Sequence, residues 1–302
     1  SIKLSYHLYI NIMIRKPFFL ETWTLAFTEE YKDIKSLNGC KWEILKPNIF
    51  DYFADPSIIN FDKSTKTVEV LYESINFLSG KGYIKKLFYS LTDKKIYRSE
   101  NFLKNNFHIS FPNKFEVNEY DFLVYENEEQ GLIGVTSFND VNSKIVVSTP
   151  KKYLDPIIIK VKSDYLFVYS YRSEGKVKFG INYIDKNFEL IESKMKYMHN
   201  SHSTRNAGKA IFEDDKIYRP GQIDDKRYGE GIVFNELCFS DSGVEEKEFH
   251  SIKYDELFKD STGMHTISIM ENICIVDLRV KKFNPLAFLI KIMRRSRKYV
   301  RQ

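Results

Sequence analysis

Long apolar runs are missing from this sequence: no uninterrupted stretch approaches the ~20 residues that a helix needs to cross a bilayer. Cysteine is scarce. The three residues present, Cys40, Cys238 and Cys274, lie far apart with no C-x-x-C pair, which argues against a disulfide framework or a zinc site and suits a reducing cytosol. The phosphate loop G-x-x-x-x-G-K-[ST], the dinucleotide signature G-x-G-x-x-G, the zincin motif H-E-x-x-H and the nucleophile elbow G-x-S-x-G are all absent. No sustained 3.6-residue apolar period runs through the body of the chain, so an α/β fold is disfavoured. The opening residues, SIKLSYHLYINIMIRKPFF, are interrupted by polar groups and lack a small-residue cleavage site, and read as a strand rather than a signal peptide.

Aromatic residues are what the chain has in excess: 24 Phe, 20 Tyr and 2 Trp among 302 residues. Rings favour strands and large β cores, and exposed rings serve as stacking platforms for sugars. The net charge of +5 is a local property. Eight basic residues and no acidic one fall between Lys281 and Gln302, and without them 38 basic side chains face 41 acidic ones. Nucleic-acid binding calls for a basic stripe across a folded body, so a nucleic-acid partner is not expected.

Five stretches share one design, in which a polar or Pro/Gly-marked opening leads through an apolar strand and a polar turn to a second apolar strand. They are FADPSIINFDKSTKTVEVLYES, HISFPNKFEVNEYDFLVYEN, YLDPIIIKVKSDYLFVYSY, RNAGKAIFEDDKIYRPGQ and GMHTISIMENICIVDLR. Their spacing of about 50 residues, with further strand-like runs between them, fits a four-stranded propeller blade. The sequence therefore predicts an all-β fold: a single five-bladed β-propeller over 1–283, with strands from the first 45 residues closing the last blade. Residues 284–302, NPLAFLIKIMRRSRKYVRQ, predict a short basic amphipathic helix, capped by Asn284 and able to lie on an anionic membrane surface.

In a propeller, equivalent positions of the innermost strands gather at one end of a central channel. The repeats thus bring together Asp55, His108, Ser110, Asp155, Arg205, Asn206 and His265, while the second strands end in Glu73, Glu126, Arg219 and Asp277. Carboxyl groups at controlled separation suit glycosyl transfer, in which one protonates a leaving oxygen and another acts as base or stabilises an oxocarbenium-like transition state. Arginines suit bidentate binding of phosphate or carboxylate, and histidine can act as base or bind phosphate. Carboxylates and imidazoles in one channel could bind a divalent ion, yet no ligand spacing demands one. No metal ligand is therefore assigned, and no cofactor is certain.

The ordered series FADPSII, HISFP, VYENEE, LDPIII, RNAGKAIF, IYRPGQ, YGEGIVFNEL and GMHTIS resembles the N-terminal propeller domain of the plant glucosamine inositolphosphorylceramide transferases and related bacterial surface-polysaccharide proteins. Those proteins in turn look like distant relatives of the arabinanase, levansucrase and invertase propellers. In such hydrolases a first-blade aspartate, a third-blade aspartate and a later glutamate serve as base or nucleophile, pKa modulator and acid. The resemblance therefore places Asp55 and Asp155 in the first two roles, with Glu126 or Glu230 as the acid. Tyr125 stands where the relatives usually carry proline. Arg205, Arg219, Gln222, Tyr228 and His265 match the family's own pattern and not that of the hydrolases.

The expectation is a sugar-transfer enzyme of bacterial surface polysaccharide synthesis, cytoplasmic and peripheral at the inner membrane face. Asp55, Asp155, Glu126 and His108 would form its reacting centre. A nucleotide-sugar donor would be held by Arg205, Arg219, Gln222 and His265, with Ser110, Glu73, Asn206, Tyr228 and Glu230 around the substrate. A lipid-linked glycan would accept the sugar. A glycoside hydrolase or phosphorylase is the alternative, and a non-catalytic glycan-binding propeller is a third reading.

Overall fold

Val68, Val70 and Tyr72 pack on one side of their strand and Leu71 on the other, and all four are buried. A strand that is apolar on both faces needs cover on both, and that demand sets the architecture. In the computed structural model, residues 18–291 are described except 47, 49, 77–78, 105, 128–131, 140–143, 149–152, 186–189, 192–195, 200–202 and 241–242. The strand expected at the start of the chain (1–17) lies outside the described residues.

The chain forms five sheets arranged as the blades of a propeller. Strands β1 (Phe19–Thr28) and β2 (Glu43–Ile44) come first but belong to the last blade. Blade one is β3 (Ala54–Asp62), β4 (Thr67–Ile75), β5 (Gly82–Ser90) and β6 (Lys95–Leu103). Blade two is β7 (Ser110–Val117), β8 (Tyr120–Asn127), β9 (Leu132–Ser137) and β10 (Lys144–Ser148). Blade three is β11 (Tyr153–Val161), β12 (Asp164–Ser173), β13 (Lys176–Ile184) and β14 (Leu190–Ile191). Blade four runs from β16 (Ile211–Glu213) through β17 (Lys216–Ile223) and β18 (Gly231–Ser240) to β19 (Gly243–Lys253), with β15 (Lys196–His199) added in parallel outside it. Blade five holds β20 (Ser261–Gly263) and β21 (Ile267–Met270) beside β22 (Ile273–Phe283). Strand β1 pairs with β22 in antiparallel register from Phe19↔Phe283 to Thr28↔Cys274, so the ring is closed by an edge shared between the two ends of the described chain.

The core is distributed between the blades. One apolar cluster lies between each neighbouring pair: Ile273 and Ile275 meet Val70 and Leu87, Leu71 meets Leu123, Val135 meets Phe167, Leu166 meets Leu237, and Phe234 meets Val276. Many of the rings fill these gaps, with Phe27 stacked on Tyr89 at 4.0 Å and Tyr153 against Tyr169 at 4.2 Å. Residues 287–291 form a helical turn, seated by Ala287 and Ile290 against Leu20. The rest of the expected C-terminal helix, 292–302, lies outside the described residues.

The inner strands of blades one to three begin with the same irregularity. Asp55, Phe111 and Asp155 have φ of 50°, 51° and 48°, each stands before a proline, and each sits in a register shift of its hairpin. This corrects the alignment of blade two: Phe111, not His108 or Ser110, occupies the position equivalent to the two aspartates. The repeated unit is a left-handed residue followed by Pro56, Pro112 or Pro156. Its phase is fixed by the bulge, which no count of apolar residues reveals.

The ring also depends on close backbone approach at its centre. Gly208 has φ of 132°, and a Cβ there would stand 2.0 Å from the Ile267 carbonyl oxygen. Substitution Gly208→Ala is expected to cost about 2 kcal/mol or more, a fall in Tm on the order of 4–8 °C, checked by thermal unfolding.

Candidate active site

A bulged residue with left-handed backbone turns its N–H out of its own ladder, and a buried N–H must find another acceptor. Here a carboxylate of the preceding blade supplies it. Asp55 N donates to Asp277 Oδ2 at 3.1 Å, Phe111 N to Asp55 Oδ2 at 3.2 Å, and Asp155 N to Glu126 Oε2 at 2.8 Å. These bonds draw four acidic residues to one end of the channel, all buried.

Cations gather with them. His265 lies between two carboxylates, its Nε2 3.2 Å from Asp55 Oδ1 and its Nδ1 2.7 Å from Asp277 Oδ2. Burial alone would discharge the ring, but the paired carboxylates, Asp277 foremost, raise its pKa to about 10. Burial likewise pushes Asp55 upward, and the hydrogen bond and charge of His265, with the Thr266 hydroxyl at 3.0 Å, outweigh it and hold Asp55 below the usual carboxylate range. Arg205 grips Asp155 with two N–H donors at 2.6 and 2.8 Å. Burial nevertheless outweighs that pull, and Asp155 stands above its ordinary value.

Two further acids are pushed upward. Burial, then the charge of Asp155, raises Glu126 to about 8. Its Oε2 accepts the Asp155 amide, and its Oε1 has no hydrogen-bond partner among the described residues. Glu73 is raised well above its usual value by burial and by Asp55. His108 stands 3.3 Å from Glu73, and its Nδ1 accepts the Gly82 amide at 2.8 Å. Gly82 leaves room for this pair, because a Cβ there would lie 2.5 Å from Glu73 Oε1 and 2.8 Å from His108 Cε1.

The remaining expected residues separate into two groups. Tyr228, 39 % exposed, covers the cluster: its ring lies 5.0 Å from His265 and beneath the Arg205 guanidinium at 5.3 Å. Arg219 does not reach the site, being 0 % exposed and held by Glu246, Asn206 Oδ1 at 3.1 Å and Ser203 O at 3.0 Å. The expectation that Arg219 binds a donor is corrected on that ground: its charge is already neutralised inside blade four. Asn206 and Gln222 are buried braces as well; Asn206 Nδ2 donates to Asp155 O and Gln222 Nε2 to Asn206 O. Ser110 is buried opposite Glu126 in the β7–β8 ladder. Glu230 closes its own loop by accepting Lys226 N, whereas Glu126 lies inside the cluster.

Several site residues carry no sequence signal of their own. Trp23 stacks on His265 at 4.1 Å and meets Tyr228 at 6.2 Å, yet belongs to the strand that precedes the first repeat. The Tyr52 hydroxyl is driven upward by burial and by the nearby charges of Glu73, Asp55 and Asp277. Thr266 adjoins His265 and was open to detection; the prolines after Asp55, Phe111 and Asp155 were also visible.

Asp55, His265 and Asp277 place ligand-type atoms within 4.8 Å of one another, the spacing of a metal site. Their oxygens are already taken up. Asp277 Oδ1 accepts the amides of His265 and Thr266 at 3.0 and 2.9 Å, Asp277 Oδ2 accepts Asp55 N, and both Asp55 oxygens accept donors. With the His265 ring seated between the two acids, the arrangement is satisfied by hydrogen bonds and opposite charge and does not require a divalent ion.

The raised pKa of His265 gives a signed prediction. A group charged more readily in the folded state stabilises it below its unfolded value near 6.5 and loses that stabilisation as pH rises through about 10. Melting temperature should therefore fall between about pH 6.5 and 10 more steeply in the wild type than in His265→Gln. Nitrogen NMR should show His265 doubly protonated at about pH 8; a neutral ring there would contradict the assignment.

Comparison with curated proteins gives no match. Among solved structures, a family-43 β-xylosidase/α-arabinofuranosidase from a compost microbial metagenome aligns over 79 % of this chain and 93 % of its own, with 12 % identity and a TM-score of 0.53. An α-L-arabinofuranosidase from Lactobacillus brevis aligns over 74 % of this chain and 80 % of its own, with 10 % identity and a TM-score of 0.51. At that identity the likeness is one of fold, the five-bladed propeller. The sequence profile described as glucosamine inositolphosphorylceramide transferase 1, N-terminal, matches residues 45–262, which takes in Asp55, Glu126, Asp155, Arg205 and most of the propeller, and the chain belongs to that family.

Proposed function

We propose that this chain makes or breaks glycosidic bonds by a two-carboxyl mechanism, with Asp55 as the ionised carboxylate at the anomeric carbon and Glu126 as the proton donor to the leaving oxygen. The observation that carries the reading is the split between them. Asp55 is held ionised by His265, whereas Glu126 is raised to about 8 and keeps Oε1 unpartnered among the described residues. Paired acids whose surroundings drive their pKa values apart are suited to the base and acid roles of one reaction. Asp155, locked to Arg205, sets the field around Glu126, and Glu73, paired with His108, lies within reach of the same charges. Tyr228, exposed and backed by Trp23, supplies a ring surface against which a sugar can pack.

Transfer to an acceptor other than water is the favoured outcome, because the family is described as a transferase. The leaving group follows from proton supply. A protonated Glu126 helps an alkoxide depart and offers nothing to a nucleoside diphosphate, which leaves as an anion. The cations of the site are also committed, Arg205 to Asp155 and His265 to Asp55 and Asp277. A glycoside donor therefore fits better than a nucleotide sugar. The second reading, a nucleotide-sugar transferase of surface polysaccharide synthesis, rests on the family description alone.

The test offers the protein aryl glycosides of graded leaving-group pKa, glycan donors with acceptors, and nucleotide sugars. Asp55→Asn should lower turnover by about 10³-fold or more, and Glu126→Gln by about 10²–10⁴-fold on poor leaving groups but little on dinitrophenyl glycosides. Wild-type activity should fall as pH rises through about 8 and Glu126 loses its proton, and Glu126→Gln should lack that limb. Turnover of nucleotide sugars alone would establish the second reading. Glycan binding with no turnover on any donor would make the propeller a binding module.

A further inference from the structure

One corner of blade five leaves bulky apolar side chains uncovered. Phe18 and Phe283 meet with ring centroids 6.3 Å apart, and both rings are exposed. The helical turn that follows is bolted to the body by one face, with Ala287 and Ile290 buried against Leu20. Its opposite face presents Phe288 and Leu289, 52 % and 55 % exposed, beside Leu286 at 38 %. The corner is firmly placed: Asn284 N donates to Phe18 O at 2.7 Å, and the Asn284 side chain accepts Leu286 N at 2.8 Å. Exposed apolar groups gathered in this way mark a contact surface.

Charge identifies what it contacts. Eight basic residues and no acidic one lie between Lys281 and Gln302, while the rest of the chain carries a slight acidic excess. Glu21 stands opposite Lys281 in the β1–β22 ladder and offsets one of those charges. Exposed apolar side chains beside Lys281 and Lys282, in a part of the sequence rich in lysine and arginine, fit the boundary of an anionic bilayer, where rings enter the acyl region and cations meet headgroups. Among the described residues no helix is long and apolar enough to cross a membrane, so the contact is with the surface.

We infer that the Phe18, Phe283, Leu286, Phe288 and Leu289 corner docks this propeller on an anionic lipid surface, with Lys281 and Lys282 as its electrostatic half. The inference stands apart from the glycosidic reading, since none of these residues touches the acidic cluster.

Co-sedimentation of the whole chain with phosphatidylcholine–phosphatidylserine vesicles at about 7:3, against pure phosphatidylcholine, tests it. Binding to the anionic vesicles should exceed binding to neutral ones by about tenfold or more, and should fall as salt rises from about 0.1 M to about 0.5 M. Phe288→Ser with Leu289→Ser, both exposed, should lower affinity at least about fivefold without moving Tm. Lys281→Glu with Lys282→Glu should weaken binding and flatten its salt dependence. Equal binding to both vesicle types, or none at low salt, would overturn the proposal. So would a lipid-free dimer, seen by sedimentation velocity, that the Phe288 and Leu289 substitutions dissolve, because the corner would then be a contact between copies.

Discussion

The structure depends on an amide that its own sheet cannot satisfy. At Asp55, Phe111 and Asp155 the backbone takes a left-handed turn ahead of a proline, breaks the hairpin register and frees an N–H inside the protein. An unpaired buried N–H costs about as much as a lost hydrogen bond. Each is answered by a carboxylate from the blade before, Asp277, Asp55 and Glu126 in turn. Joining blade to blade thereby forces acidic side chains into the channel, and the candidate site grows out of the joints of the ring. Strain at these positions is held by the surrounding sheets, as befits residues that aim functional groups.

Once gathered, the acids repel one another in a setting poor in water, and their differing partners decide which of them keep a proton. His265 and Thr266 favour the charged form of Asp55, and Arg205 does so for Asp155. Burial still raises Asp155, and it raises Glu126 and Glu73 as well, so that Asp55 alone of the four is lowered. Arg219, the largest fully buried side chain, serves this arrangement at a distance. Its contacts with Glu246, Ser203 and Asn206 hold the segment from which Arg205 reaches Asp155. A charge that looked free for a ligand is thus part of the scaffold.

Repeat spacing, turn residues and two-faced apolar strands were enough for the sequence by itself to determine the five-bladed plan, because strand periodicity and hairpin chemistry are local. The same locality exposed Asp55, Asp155, Glu126 and His265 as polar residues at repeated positions. What the tertiary structure alone decided is how those groups are paired. Phe111 replaces an acid in blade two because the bulge, not the apolar count, sets the register. Trp23 enters the site because β1 closes the ring on β22, where Trp23 itself pairs with Arg279, 256 residues away. Arg219 turns inward because Glu246, 27 residues later, is brought beside it by the β17–β18–β19 sheet. Protonation follows pairing and burial, both long-range properties, so the opposite shifts of Asp55 and Glu126 exist only once the blades have met.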